Sequence, residues 1–124
     1  MFDILKRSRG RVIGVRARGH LHHEDYESLL PKLEELTARY GQVRLLFDMD
    51  GFKGADLHAM WDDFLFGLHH WRDLELLAVV GDSVWERFLA QAIEEFHPGE
   101  TRYFDLSRED EAWTWLETAD GPAD

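Results

Sequence analysis

Leu45-Leu46-Phe47-Asp48-Met49-Asp50-Gly51-Phe52-Lys53-Gly54 and Leu76-Leu77-Ala78-Val79-Val80-Gly81-Asp82-Ser83-Val84-Trp85 follow one pattern. Each is an apolar run of strand length that breaks into an acidic, glycine-containing loop, and each loop leads into an aromatic-rich segment with helical spacing. In an open parallel α/β sheet the loops at the carboxyl ends of the strands diverge into a crevice, and ligands bind there. Two such strand ends therefore set the fold class as α/β and mark where function is to be sought.

Outward from these runs the periodicity alternates regularly. Residues 2–7 predict a strand, Ser8-Arg9-Gly10 a tight turn, and residues 11–18 a second strand in which Ile13, Val15 and Ala17 share one face. Residues 23–40 predict a helix with Tyr26, Leu29, Leu30, Leu33, Leu36 and Tyr40 on one stripe, kinked by Pro31 and ended by Gly41. Strand 43–49, a helix from about 55 to 70, strand 74–80, helix 83–96, the breaker Pro98-Gly99 and strand 101–105 follow. A last helix opens with Ser107-Arg108-Glu109-Asp110, which has the form of a capping box. The order β-β-α-β-α-β-α-β-α predicts a five-stranded, mostly parallel sheet with four helices and an antiparallel first strand. It forms a single domain over residues 1–119, with 120–124 a frayed tail.

Composition narrows the function. The 44% apolar and 13% aromatic content belongs to a packed globule. Without cysteine there are no disulfides, thiolate metal sites or cysteine nucleophile, as fits a cytoplasmic protein; no apolar run reaches membrane-spanning length and the start lacks the features of a signal peptide. Of the net charge of −11, residues 1–18 contribute six basic side chains against Asp3 alone, which leaves the rest at −16. Such an acidic body excludes a duplex-binding surface, and the arginines of residues 1–18 predict a solvated strand face.

The motifs in sequence order carry a family resemblance. Gly19-His20-Leu21, Glu24-Asp25-Tyr26, Leu29-Leu30-Pro31-Lys32-Leu33, Leu45-Leu46-Phe47-Asp48, Phe52-Lys53-Gly54, Trp61-Asp62-Asp63, Val79-Val80-Gly81-Asp82 and Trp85 resemble the SpoIIAA-like proteins of the STAS/CRAL-TRIO group over residues 2–117. His22 departs from the threonine common at that helix cap and predicts a shifted helix start at His23 or Glu24. The resemblance implies a STAS-like fold without enzymatic activity or cofactor. Anti-sigma-factor antagonists of this fold carry a phosphorylatable serine after the third strand. The corresponding loop here, residues 48–56, has no Ser or Thr. The CRAL-TRIO side of the resemblance implies a lipid or other hydrophobic ligand, with peripheral membrane contact through the helices after strands three and four.

The side chains of those two helices point the same way. Leu57, Met60, Trp61, Phe64, Leu68 and Trp71 form a stripe, and Leu65 and Phe66 widen it, Phe66 standing about 200° around the helix from Phe64. The next helix adds Trp85, Phe88, Leu89, Ala92, Ile93 and Phe96. Most of these are core, but an arc this wide exceeds one sheet contact. Phe52, Trp61, Phe64, Leu65, Leu68, Trp85 and Phe88 are the expected lining of a hydrophobic cleft, open to an apolar small molecule, a protein partner or a second copy of the chain.

Two chemical alternatives compete. Asp48-Met49-Asp50-Gly51 resembles the first motif of Mg-dependent haloacid-dehalogenase-type phosphatases, with Asp48 as nucleophile, Asp50 as acid/base and Asp82 in the last acidic motif. Against it, two strands precede Asp48, only 34 residues separate it from Asp82, and Phe52 stands where that family has threonine. The acids are better placed to bond loop and helix-start backbone donors. His20, His22 and His23 cluster, and His58 and Asp62 are one helical turn apart, but a third ligand is not evident and catalytic zinc wants three. The expectation is thus no catalytic residue and no metal.

Overall fold

The computed structural model describes residues 1–50, 52–55, 73–96 and 99–119. Seven strands and three α-helices occur among them: β1 (Phe2–Ile4), β2 (Val12–Ala17), β3 (Gly19–Leu21), α1 (His23–Tyr40), β4 (Val43–Asp48), β5 (Phe52–Ala55), β6 (Leu74–Gly81), α2 (Val84–Phe96), β7 (Glu100–Asp105) and α3 (Glu109–Thr118), the last preceded by a 3₁₀ turn at Leu106–Arg108. The helix expected from about 55 to 70 lies outside the described residues, apart from its first position.

Five strands form the main sheet in the order β1-β2-β4-β6-β7, with β1 antiparallel to β2 and every other pairing parallel. The central strands are buried on both faces, so their apolar runs are nearly continuous. On one face Ile13, Val15, Leu45, Leu77 and Val79 pack with Leu29 and Leu36 of α1 and Ala90 of α2. On the other, Val12, Leu46, Leu76, Ala78 and Val80 pack with Ala112, Trp113 and Leu116 of α3. Strand periodicity assigns each residue to its layer.

The structure corrects the expected pattern at three places. The first strand ends at Ile4, because the chain turns at residues 6–7 and Arg9 bridges back to Val12. Gly19–Leu21 and Phe52–Ala55, expected as motif and loop, pair in parallel as a second, two-stranded sheet. Helix α1 starts at His23, one of the two expected starts, with His22 at its N-cap, and the Asp25 carboxylate accepts the His22 backbone N–H at 2.8 Å. The capping box at Ser107 does not form: Ser107 lies in the 3₁₀ turn and Arg108 is the N-cap of α3, with no side-chain cap bond. Asp110 and Glu111 instead place negative charge at the positive end of the helix dipole. Gly41 at φ +83° closes α1 as expected, its N–H bonding Thr37 O at 2.8 Å.

Helix α3 is fixed at both ends by one strand. Arg44, Leu46 and Asp48 alternate onto the same face of β4. At the carboxyl end of α3 the Arg44 guanidinium donates to Leu116 O at 2.7 Å and to the Glu75 carboxylate at 2.8 and 3.2 Å. The β4–β6 register slips between Val43 and Arg44, pairing them with Leu74 and Leu76 and leaving Glu75 between the pairs, opposite the guanidinium. At the amino end of α3 stands Asp48.

Candidate functional site

The carboxyl ends of β2, β4 and β6 form one rim with the starts of α2 and α3. Asp48 is fully buried there. Its Oδ2 accepts from Arg16 Nε and Nη2 at 3.3 and 3.2 Å, and its Oδ1 accepts the Asp50 backbone N–H at 2.8 Å. Arg16 and Asp48 are register partners across β2 and β4, so sheet geometry alone brings them together. Arg7, Arg9 and Arg18 are exposed, in keeping with the solvated face expected for the arginines of residues 1–18, and several of these arginines also carry acidic partners. Arg16 spans the rim, Arg7 pairs with Glu117 and Asp110, Arg18 with Asp3, and Arg11 lies 3.8 Å from Glu75.

Glu109, the first residue of α3, completes the cluster. Its carboxyl group faces that of Asp48, its Oε1 is buried with no hydrogen-bond partner among the described residues, and its pKa is pushed up to about 7. The causes are the hydrogen bond that the protonated group can give Asp48, then burial, then the Asp48 charge, with Arg16 acting in the opposite direction. Sequence reasoning missed Glu109, although a signal existed: Glu109, Ala112, Trp113 and Leu116 have the i, i+3, i+4, i+7 spacing of a buried stripe. A carboxylate on such a stripe needs a partner.

The arrangement does not present a nucleophile. Both Asp48 oxygens are engaged and the group has no exposed surface. No group of three His, Asp or Glu side chains among the described residues is placed to hold a metal ion.

Of the expected cleft residues, Trp61, Phe64, Leu65 and Leu68 lie outside the described residues. The backbone places Phe52 at the start of β5 and Trp85 in the first turn of α2. Phe88 is 68% exposed and Val84, one turn earlier on the same face, is 85% exposed. Asp82 and Ser83, at the approach to that helix, are exposed as well.

A family model described as SpoIIAA-like matches residues 12–117, and the chain belongs to that family. It is similar to an uncharacterised protein of the DUF3478 family, with a SpoIIAA-like fold, from Shewanella loihica PV-4. The two are 31% identical over 94% of this chain and 92% of that one, with a TM-score of 0.73. It also shares its fold with the anti-sigma factor antagonist SpoIIAA in its unphosphorylated form, at 14% identity, 94% and 98% coverage and a TM-score of 0.64. No curated protein sequence matches the chain.

Proposed function

We propose that the chain is a non-enzymatic docking module that binds a protein partner through the start of α2. The observation that carries this reading is the exposed pair Val84 and Phe88 at the carboxyl rim of the sheet. Two large apolar side chains one turn apart are the kind of anchor a partner surface covers. Arg87, Gln91, Glu94 and Glu95 are exposed on the same helix, and the whole chain carries −11. A partner with an apolar knob ringed by Lys or Arg is complementary to this surface, whereas an anionic membrane is repelled by it. The SpoIIAA fold fits such a role, since that antagonist is named for acting on another protein. With no hydroxyl between residues 48 and 56, a phosphoserine switch at that loop is not part of the proposal.

The test is a photo-crosslinking phenylalanine analogue at position 88, expressed in the native host, with a control at the exposed Glu111 on α3. One dominant protein adduct at position 88, missing from the control and lost when Val84→Glu is added, is expected. Native mass spectrometry of the purified protein runs beside it. A lipid-sized mass that travels with the chain, and no protein adduct, would overturn the proposal in favour of the hydrophobic-ligand expectation.

A further inference from the structure

Two carboxyl groups on different elements meet at the buried seam where α3 begins. Asp48 ends β4, is wholly enclosed, and already accepts from Arg16 and from the Asp50 N–H. Glu109 faces it from the first turn of α3, with an oxygen sealed from water and no donor to serve it among the described residues. Among the described residues Arg16, from β2, is the cation that faces the pair. Asp50 and Asp110 add negative charge from the loop after β4 and from α3 itself. Asp105, at the end of β7, is held 3.6 Å from Arg87 of α2, and Arg108 is taken by Glu111. One guanidinium thus serves two facing carboxyl groups. Two ionised carboxylates repel and neither can donate; with one proton between them they form a hydrogen bond and the sealed oxygen is satisfied.

We propose that Glu109 and Asp48 share a single proton, and that this proton is a catch holding the first turn of α3 against the strand ends. While the proton is present, α3 is latched at its amino end by the carboxyl pair and at its carboxyl end by Arg44. When it leaves, two negative charges face each other across the seam, offset among the described residues by Arg16, and the first turn of α3 loosens. The proton of the pair is lost around pH 7, where Glu109 titrates, so the catch opens on the alkaline side of neutrality. The sign follows from linkage. A carboxyl whose native pKa is raised holds a proton that the unfolded chain has already released, so native stability falls as pH rises from the ordinary glutamate range, about 4.3, through about 7.

The experiment is a ¹³C NMR titration of the side-chain carboxyl groups of the full chain between pH 4 and 9, with amide protection factors, corrected for the intrinsic pH dependence of exchange, read at Trp113 and Thr114, whose N–H groups bond the carbonyls of the first turn of α3. The expected result is a Glu109 midpoint near 7 and lower protection at those two amides above it. Asp48→Asn keeps the volume and an acceptor for the Asp50 N–H but removes the facing charge, so the Glu109 midpoint moves down by a unit or more. Glu109→Gln supplies a permanent donor, so amide exchange at those two positions loses the step near neutrality. A Glu109 midpoint in the ordinary glutamate range in the wild type, a midpoint unmoved by Asp48→Asn, or an exchange step that persists in Glu109→Gln would each overturn the proposal. The wild-type titration decides even where a variant fails to fold.

Discussion

Gly14 shows how tightly single residues are specified. A Cβ built there falls 2.3 Å from Trp113 Cη2 and 2.6 Å from Cζ2, with Leu5 Cδ1 at 3.3 Å. The indole is 3% exposed and stacks beneath the Arg7 guanidinium at 5.5 Å, so it has no open space to retreat into. Only a residue without a side chain lets α3 lie this close to β2. Gly14→Ala is expected to cost about 1–3 kcal/mol through overpacking, as a lower denaturation midpoint at an unchanged denaturant slope. Nothing in the local pattern hints at this contact, since a glycine between Ile13 and Val15 reads only as a weak strand position. The partner that explains it is 99 residues away. Asp48 was legible as a loop-bonding acid because its motif is local. Glu109 was not, because its neighbours in sequence imitate a helix cap.

At the scale of elements, the pair Arg44 and Glu75 connects β4, β6 and the end of α3. Both side chains are almost wholly buried, at 2% and 6% exposed. Removing one partner of a buried pair leaves an uncompensated charge, and Arg44→Met is expected to cost about 3–5 kcal/mol, with Arg11 at 3.8 Å tempering the loss. Converting both residues to Met is expected to recover much of that cost, and a double-mutant cycle by chemical denaturation measures the coupling. An additive result would place the cost in lost packing instead. Helix α1 was readable at both of its ends because stripe, acidic first turn and terminal glycine all agree over eighteen residues. The small sheet of β3 and β5 was not readable. Its strands are three and four residues long, contain Gly19 and Gly54, and are strands only because they pair with each other.

Over the whole molecule the acidic excess sets the response to salt. A net charge of −11 on 124 residues repels itself, and the paired arginines of residues 1–18 leave the surplus on the rest of the chain. Raising ionic strength from about 0.01 M to about 0.15 M shortens the screening length from about 30 Å to about 8 Å. The melting temperature is therefore expected to rise with sodium chloride over this range, by calorimetry at pH 6, where the carboxyl pair keeps its proton. A fall would show that the exposed ion pairs, such as Arg7–Glu117 and Arg18–Asp3, outweigh the general repulsion.

The double anchorage of α3 on β4 also works as a ruler. From Arg44 to Asp48 the strand advances about 13 Å, and from Glu109 to Leu116 the helix advances about 10 Å, close enough for long side chains to close both ends at once. One residue inserted between Ala112 and Leu116 turns everything beyond it by about 100°, so Leu116 and the carbonyl that Arg44 reaches leave the buried face together. Whatever else drifts among relatives of this chain, the seven-residue interval from Glu109 to Leu116 is expected to keep its length, and loop insertions to collect outside it.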